Sequence, residues 1–173
     1  MKLLQQLNQG ILSQTAVVSI KDSLFVLRAF ETTLFKEEEP QLYESSLSTF
    51  HTVRSQIISE DVVTKRDFIG REYTSKNEPL IHTSPILDII ETSSKLFILR
   101  QYYYYNLKER MYKLPYLTYT EKLFIIFQLL FAVSELHERG IIHGDIKVEN
   151  IMLTSNGSLF LTDIASYKLA YIP

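Results

Sequence analysis

The sequence predicts an α+β fold, in which a small and mostly antiparallel sheet with one helix is followed by a helical portion that carries a hairpin. Three observations support this fold class. Two apolar runs of strand length flank a polar break at 21–23, a capping box at Thr118 and Glu121 opens a long apolar segment, and an Asn156-Gly157 dipeptide separates two short apolar runs. These patterns predict a hairpin, a long helix and a second hairpin in that order along the chain.

The first hundred residues have the pattern of a sheet with one helix. Residues 16–20 and 24–30 are the strands of the first predicted hairpin, and the apolar runs 86–90 and 96–99 flank a polar break that predicts another. Between these hairpins, apolar residues at roughly helical spacing predict a helix: Leu42, Leu47, Phe50 and Val53. Residues 61–84 show no clear period, so we expect a loop there.

The helical portion centres on the segment that follows the capping box. Its most apolar stretch, 123–133, is too short to cross a bilayer and is expected to form a buried central helix. Gly140 stands where a residue in the left-handed conformation would end this helix. The Asn-Gly dipeptide then predicts a tight turn between the apolar runs 151–153 and 159–161.

Composition and charge exclude several classes of function. Eighteen Lys and Arg against twenty Asp and Glu give a formal net charge of -2, which provides no general attraction to nucleic acid. The run of four tyrosines at 102–105 is therefore expected to cover core edges and not to stack on bases. The chain has no Cys, which excludes a disulfide, a thiolate metal site and a cysteine nucleophile. Any metal must bind through oxygen or His.

The residues best able to carry chemistry lie around the Asn-Gly hairpin. If a phosphate and a divalent cation bind there, Asp145 can accept a hydroxyl proton and Lys147 can neutralise a transferring phosphoryl group. Asn150 and Asp163 can supply oxygen ligands to Mg²⁺, and the hairpin would bring them to neighbouring ends of paired strands. Each residue taken singly is better explained as a turn or cap residue, but together they form a coherent set.

The spacing of these residues resembles that of a protein kinase. Asp145 and Asn150 stand in the Asp-x-x-x-x-Asn relation of the kinase catalytic loop, with His143 two residues earlier and Asp163 after the hairpin. The segment His-Gly-Asp-Ile-Lys-x-Glu-Asn that begins at His143, together with 161–173, is similar to the kinase-like regulatory subunit of the vacuolar (class III) phosphatidylinositol 3-kinase. The resemblance is good from about residue 96 to the last residue.

The resemblance implies a role for each residue around the hairpin. Asp145 would be the catalytic base and Lys147 would balance charge, while Asn150 and Asp163 would hold the metal. His143 would brace the loop without acting as a base. The implied cofactors are ATP or GTP with Mg²⁺, and the nucleotide would sit between a small sheet lobe and a helical lobe.

Several residues depart from the pattern of an active kinase. Gly144 replaces the usual Arg of the catalytic loop, and Ile164-Ala165 follow the metal-binding Asp where Phe-Gly is usual. The glycine-rich phosphate loop is missing from the first lobe. Arg28 occupies the place of the Lys that grips the phosphates, and Glu44 is the candidate for its ion-pair partner. The changes after the Asp and in the loop are usual in the resembled family.

The resemblance also implies partners and a location. The partners would be the class III phosphatidylinositol 3-kinase catalytic subunit and the autophagy and endosomal sorting subunits, with no nucleic acid. The chain would be cytoplasmic and peripheral on endosomal or vacuolar membranes. Members of that family attach through a myristoylated N-terminal Gly, whereas Lys2 stands at this position here.

Three functions follow from these observations. The first is a serine/threonine protein-kinase-like regulatory subunit that binds Mg-nucleotide and has weak or vestigial phosphotransfer. The second is a non-catalytic nucleotide-sensing scaffold, a pseudokinase, and the third is a truncated relic. In each case residues 1–173 are expected to be an incomplete kinase-like domain, with 1–100 as the small lobe and 101–173 as part of the larger one. An incomplete lobe would leave part of the apolar central helix exposed.

Overall fold

The computed structural model describes most of the chain: residues 1–9, 13–55 and 80–164. The predicted loop at 61–84 therefore lies outside the described residues except for its last five. Two compact units divide the chain. The first comprises Met1–Arg54 and Ser84–Tyr102, and the described part of the second comprises Ser55, 80–83 and 103–164. No helix in these ranges is long and apolar enough to cross a membrane.

The first unit is built on a five-stranded antiparallel sheet, in the order β1-β2-β3-β5-β4. Its strands are β1 (Lys2–Gln9), β2 (Ser13–Ile20), β3 (Ser23–Glu31), β4 (Ile86–Glu91) and β5 (Lys95–Gln101). The two hairpins expected here are confirmed, with Val17 opposite Val26 in the first. Lys21 and Asp22 both have a positive φ, as a two-residue hairpin turn that matches strand twist requires.

The helix predicted between the two hairpins is also present. It is α2 (Pro40–Ser55), and a short helix α1 (Thr33–Glu38) precedes it. Phe50 and Val53 are buried, and the ring of Phe50 stacks against that of Phe30 on β3 with 6.2 Å between ring centroids. Burial of this apolar stripe against the sheet is what stabilises a helix of this length.

A small polar cluster ties both helices to the sheet edge. The Glu91 carboxylate at the end of β4 accepts hydrogen bonds from Lys36 Nζ and Tyr43 Oη, each at 2.7 Å. These two donors lower the pKa of Glu91, with Lys36 the larger cause. Burial and the hydrogen bond to Glu91 raise the pKa of Tyr43, so the phenol stays protonated as a donor.

Strand β1 and two short helices were not predicted from the sequence. The leucines of β1 are exposed, at 65% for Leu3, and two irregularities in its pairing with β2 break the alternation that would identify a strand. Helix α1 spans six residues and α3 (Leu107–Met111) five, which is too few for a hydrophobic period.

The second unit combines a small sheet with one long helix. Its three strands are β6 (Tyr105–Asn106), β7 (Ile151–Leu153) and β8 (Leu159–Leu161), in the order β6-β7-β8. The helices are α3, α4 (Tyr119–His137) and the 3₁₀ helix Val148–Asn150. The Asn-Gly hairpin is confirmed as the antiparallel pair of β7 and β8, with Gly157 at a φ of 82° in the turn.

Both predicted ends of the long helix are confirmed. Thr118 Oγ1 accepts from the backbone N–H of Glu121 at 3.2 Å, and the backbone N–H of Thr118 donates to Glu121 Oε2 at 2.7 Å. Two backbone donors at the start of α4 are thereby satisfied. Gly140 follows the last turn with a φ of 71°, the left-handed conformation expected of a helix stop.

The expectation that α4 is a buried helix is wrong for one side of it, and the expectation that part of this apolar helix is exposed is confirmed. Its exposed residues include large apolar ones, with Leu130 at 67% and Phe127 at 61%. The buried positions of α4 are Ile125, Gln128, Ala132, Glu135 and Leu136. Two of these are polar, because buried backbone groups of neighbouring segments need partners and the side chains of α4 supply them.

The capping box gives a direct test of the fold. Thr118→Ala should lower the free energy of unfolding by about 1 kcal/mol, because the backbone donor of Glu121 loses its acceptor. Urea denaturation of the full chain measures this change. Thr120→Ala, on the exposed first turn of α4, is the matched control and should leave stability within about 0.5 kcal/mol. Equal losses in the two variants would contradict a stabilising role for the cap.

Candidate active site

The β7–β8 hairpin brings Asn150 and Asp163 to neighbouring chain ends. Ile151 pairs with Leu161, and one step beyond them the backbone N–H of Thr162 donates to the carbonyl of Asn150 at 2.9 Å. The Thr162 hydroxyl donates to the same carbonyl at 3.2 Å. Asp163 is the next residue, so the ladder fixes its backbone close to Asn150.

Asp145 and Asn150 are joined directly by side-chain hydrogen bonds. Asn150 Nδ2 donates to the Asp145 carboxylate at 3.0 Å and to the Asp145 carbonyl at 2.8 Å, and the Asn150 side chain is buried. Lys147 Nζ donates to the same carboxylate oxygen at 2.7 Å. The amide and the ammonium thus orient the carboxylate of Asp145 and keep a positive charge beside it.

Asp163 has a left-handed backbone, with a φ of 62°. Among the described residues, the other non-glycine positions with positive φ are the two of the β2–β3 turn. Asp tolerates this conformation better than most residues, yet it still costs on the order of 1 kcal/mol. Backbone strain of this kind concentrates at functional sites, which makes Asp163 a candidate for function on geometry alone.

His143 links the loop that carries Asp145 to the strand that leads to Asp163. Its Nδ1 accepts from the backbone N–H of Asp145 at 3.3 Å, so Nε2 carries the proton and donates to the Thr162 carbonyl at 2.9 Å. Burial lowers the pKa of His143, which keeps the ring neutral. Gly144 has a φ of 73°, and the chain reversal that glycine permits lets the next N–H reach the ring. The ring braces the loop.

Sequence reasoning missed two polar residues on the buried side of α4. Gln128 holds the hairpin, since its amide donates to the Gly157 carbonyl and accepts from the N–H of Leu159, both at 3.0 Å. Glu135 accepts from the backbone N–H groups of Ile81 and His82, both at 3.1 Å. Burial raises the pKa of Glu135, and these two donors oppose the rise. The signal in the sequence was that these two polar residues, Gln128 and Glu135, lie seven positions apart on an otherwise apolar helix.

An ion pair attaches helix α3 to the same loop. Lys108 Nζ lies 3.0 Å from Glu149 Oε1, next to Asn150 in the 3₁₀ helix. The hydrogen bond lowers the pKa of Glu149 and raises that of Lys108. Both side chains are largely exposed, so the pair orients the loop more than it stabilises the fold.

Arg28 and Glu44 belong to the first unit. Arg28 lies on β3 between Thr15 and Ile98 of the neighbouring strands, with its guanidinium 4.7 Å from the centroid of the Phe30 ring. Glu44 is exposed on α2, and the described contacts include no ion pair between it and Arg28. Their partnership stays a prediction.

The protein kinase domain family matches residues 72–169, which is more than half of the chain. The chain belongs to the protein kinase family. The match includes the catalytic-loop residues and Asp163 described above. The α+β fold with a five-stranded antiparallel sheet is consistent with a kinase-like fold.

The most similar curated kinases share one name. Serine/threonine-protein kinase VPS15 of Arabidopsis thaliana is 47% identical over 92 residues, which is 53% of this chain and 6% of that protein. The probable serine/threonine-protein kinase vps15 of Dictyostelium discoideum is 40% identical over 95 residues, 55% of this chain and 5% of that protein. Serine/threonine-protein kinase vps15 of Schizosaccharomyces pombe is 31% identical over 159 residues, which is 81% of this chain and 9% of that protein. The chain therefore spans less than a tenth of these relatives.

The residues of this kinase site suit Mg²⁺ held together with a nucleotide. Asn150 uses its amide nitrogen on Asp145, and within the described ranges no donor engages its amide oxygen. That oxygen and the Asp163 carboxylate are hard ligands. The described residues contain no cluster of three His, Cys, Asp or Glu for a metal. Mg²⁺ commonly takes only one or two protein oxygens and completes its shell with phosphate and water, so the pair fits.

The buried ring of His143 predicts a pH dependence of stability. Because burial lowers its pKa, its stabilising contribution is complete above the ordinary histidine pKa of about 6.5 and is lost as the pH falls toward the folded value. Urea denaturation between about pH 7.5 and pH 5 should therefore show a falling free energy of unfolding. His143→Gln, which keeps a donor for Thr162, should remove part of this slope.

His137→Gln is the matched control, since this side chain is exposed at the end of α4. It should keep the slope of the unmodified chain. If His143→Gln also kept that slope in full, protonation of the buried ring would not be its source.

Proposed function

We propose that this chain binds Mg-ATP and carries phosphotransfer chemistry at the loop of Asp145 and Asn150 and at Asp163. One observation supports the proposal above the others. Asn150 donates to the carboxylate of Asp145 while its carbonyl pairs with Thr162, the residue before Asp163. The proposed proton acceptor and the two proposed metal ligands are thus linked through Asn150. GTP is the alternative nucleotide.

The reaction would transfer the terminal phosphoryl group of the bound nucleotide to a Ser or Thr hydroxyl. Asp145 accepts the hydroxyl proton, since its carboxylate is oriented by Asn150. Lys147, whose Nζ lies 2.7 Å from that carboxylate, balances the negative charge of the transferring phosphoryl group. Asn150 Oδ1 and the Asp163 carboxylate would hold Mg²⁺, which supplies charge neutralisation for the phosphates.

Arg28 is the proposed phosphate contact of the first unit. Its guanidinium keeps the charge of the Lys that it replaces, but it spreads that charge over a planar fork that favours bidentate contacts. Glu44, which is exposed on α2, is the proposed acidic partner. We infer that phosphate binding differs here from that of kinases with a Lys and a glycine-rich loop.

A non-catalytic scaffold that senses nucleotide is the second candidate. The lack of the glycine-rich loop and the presence of Arg28 favour it, because close backbone approach over the phosphates is lost. This candidate shares nucleotide binding with the first and differs in phosphotransfer. A truncated relic would bind no nucleotide and would not unfold cooperatively.

Binding of Mg-nucleotide should raise the melting temperature of the chain. At roughly 100 times the dissociation constant, mass action adds about 2.7 kcal/mol, or about 5 °C or more in a chain of this size. A thermal shift series with Mg-ATP, Mg-GTP and ATP with chelator measures it. Asp163→Ala should lose the Mg²⁺-dependent part of the shift, whereas Asp88→Asn, on the sheet of the first unit, should keep it.

An unchanged shift in Asp163→Ala would refute its role as a metal ligand. Phosphotransfer then separates kinase from scaffold. Incubation with radiolabelled ATP and a mixed protein substrate should give a label that falls by a factor of roughly 100 or more in Asp145→Asn. Nucleotide binding without any such transfer would leave the scaffold.

We further propose that the chain is the kinase-like part of a regulatory subunit of a class III phosphatidylinositol 3-kinase complex. The naming of its relatives as VPS15 kinases supports this assignment. The complex would act in vacuolar and endosomal sorting and in autophagy. The protein would be cytoplasmic and peripheral on endosomal or vacuolar membranes, with the lipid-kinase catalytic subunit as its first partner.

Co-precipitation tests this assignment. The tagged protein, expressed in its own cells at its native length, should bring down an activity that converts phosphatidylinositol to its 3-phosphate. It should also sediment with membranes and be released by high salt or alkaline wash. A tagged unrelated kinase is the control. A precipitate without lipid-kinase activity beyond that control would remove the regulatory-subunit assignment and leave the phosphotransfer proposal standing.

A further inference from the structure

Strand β8 is only three residues long and has two edges to satisfy. One edge pairs with β7, where Met152 lies opposite Phe160. The other edge presents the backbone groups of Leu159 and the N–H of Leu161. A two-stranded hairpin of this length is only marginally stable in water. Hydrogen bonds to the outer edge of β8 therefore stabilise the whole hairpin.

Gln128 of α4 occupies the outer edge of β8. Its amide oxygen accepts from the N–H of Leu159 and its amide nitrogen donates to the carbonyl of Gly157, both at 3.0 Å. The residue is 2% exposed, and these two contacts satisfy both ends of its amide. The Gln128 side chain thus supplies an acceptor and a donor of the kind that a neighbouring strand would supply.

Residues 80–83 complete that edge. His82 Nδ1 donates to the Leu159 carbonyl at 3.1 Å, and the carbonyl of His82 accepts from the N–H of Leu161 at 2.7 Å. The Glu135 carboxylate holds the backbone N–H groups of Ile81 and His82. Two side chains of α4, seven residues apart, therefore fix β8 from its outer side, one directly and one through His82.

We infer that Gln128 is a positioning residue for Asp163. Asp163 lies two residues after Leu161, the last residue of β8, and has a left-handed backbone with a φ of 62°. A shift of β8 along α4 therefore moves the proposed metal ligand. This inference rests on the proposed function, and it adds to it a residue that touches neither nucleotide nor metal.

A purely structural role for Gln128 predicts something different. It would lower stability when the amide is lost, because two buried backbone groups would be left without partners. Metal affinity would then fall only as far as the stability of the fold falls, whichever residue is replaced. Residues that orient a metal ligand typically change metal affinity by about 10- to 100-fold when they are replaced.

Three variants of the full chain separate these roles. Gln128→Met keeps volume and helix propensity and removes both hydrogen bonds. Gln128→Glu keeps the acceptor for Leu159 and loses the donor to Gly157. Ile125→Val, on the same buried side of α4, is the control for a small loss of packing.

Two measurements are made on each variant. Mn²⁺ affinity in the presence of ATP is read from the electron paramagnetic resonance signal of the free ion, and ATP affinity with chelator is measured alongside. Amide hydrogen exchange of residues 159–162 is recorded without nucleotide or metal, which reports the hold on β8 itself.

Gln128→Met should weaken Mn²⁺ binding about tenfold or more, speed exchange at 159–162 and leave metal-free ATP affinity within about twofold. Gln128→Glu should also weaken Mn²⁺ binding, because it sets a buried carboxylate against the carbonyl of Gly157. Ile125→Val should leave Mn²⁺ affinity unchanged. Unchanged Mn²⁺ affinity in Gln128→Met, or an equal loss in Ile125→Val, would overturn the inference while the proposed function stands. An unmodified chain that binds no Mn²⁺ with ATP would overturn both.

Discussion

The candidate site depends on the register of a three-residue strand. Strand β8 carries the chain from the Asn-Gly turn to Thr162 and Asp163, and a strand this short cannot hold its place by one ladder alone. Its inner edge pairs with β7 and so determines the distance between Asn150 and Asp163. Its outer edge is held by Gln128 and His82, which belong to other parts of the chain. The geometry of the proposed metal-binding pair is therefore set by tertiary contacts and not by the turn by itself.

Helix α4 shows why burial cannot be read from apolarity alone. The polar residues Gln128 and Glu135 lie inside because the buried backbone groups near them require hydrogen-bond partners. A buried backbone group without a partner would destabilise the fold by its full desolvation penalty. Phe127 and Leu130 lie outside, which agrees with the expectation that part of this apolar helix is exposed. The capping box and Gly140 predicted the two ends of α4, and the hydrophobic pattern predicted a helix between them. It could not fix which side of the helix faces the sheet.

The sequence was informative where the physical signal is local. The turn at Lys21-Asp22, the capping box at Thr118 and the Asn-Gly hairpin each depend on residues within a few positions of one another, and all three were predicted correctly. Strand β1 gave no such signal because its leucines are exposed. The loop residues Asp145 and Asn150 were found by spacing, but their mutual hydrogen bond required coordinates. Gln128 and Glu135 escaped because their partners are backbone atoms that lie 29 to 54 residues away.

The choice between a kinase and a scaffold depends on how the residues of the site affect the stability of the fold. A hairpin that served only as a support would be more stable with glycine at the left-handed position of Asp163. It would also be more stable with apolar residues in place of the hydrogen-bonded side chains of Asp145 and Asn150. Here the strained residue is an Asp, and Asn150, which pairs with the preceding Thr162, presents an amide oxygen toward no described donor. The backbone strain is a cost to the fold, and the amide oxygen is one to which a cation could bind. In the proposed function, the differences from an active kinase at Arg28 and in the missing glycine-rich loop affect phosphate binding, and the proposed base and metal ligands are retained. The proposed function therefore combines weak nucleotide affinity with a loop that keeps its proposed base and metal ligands.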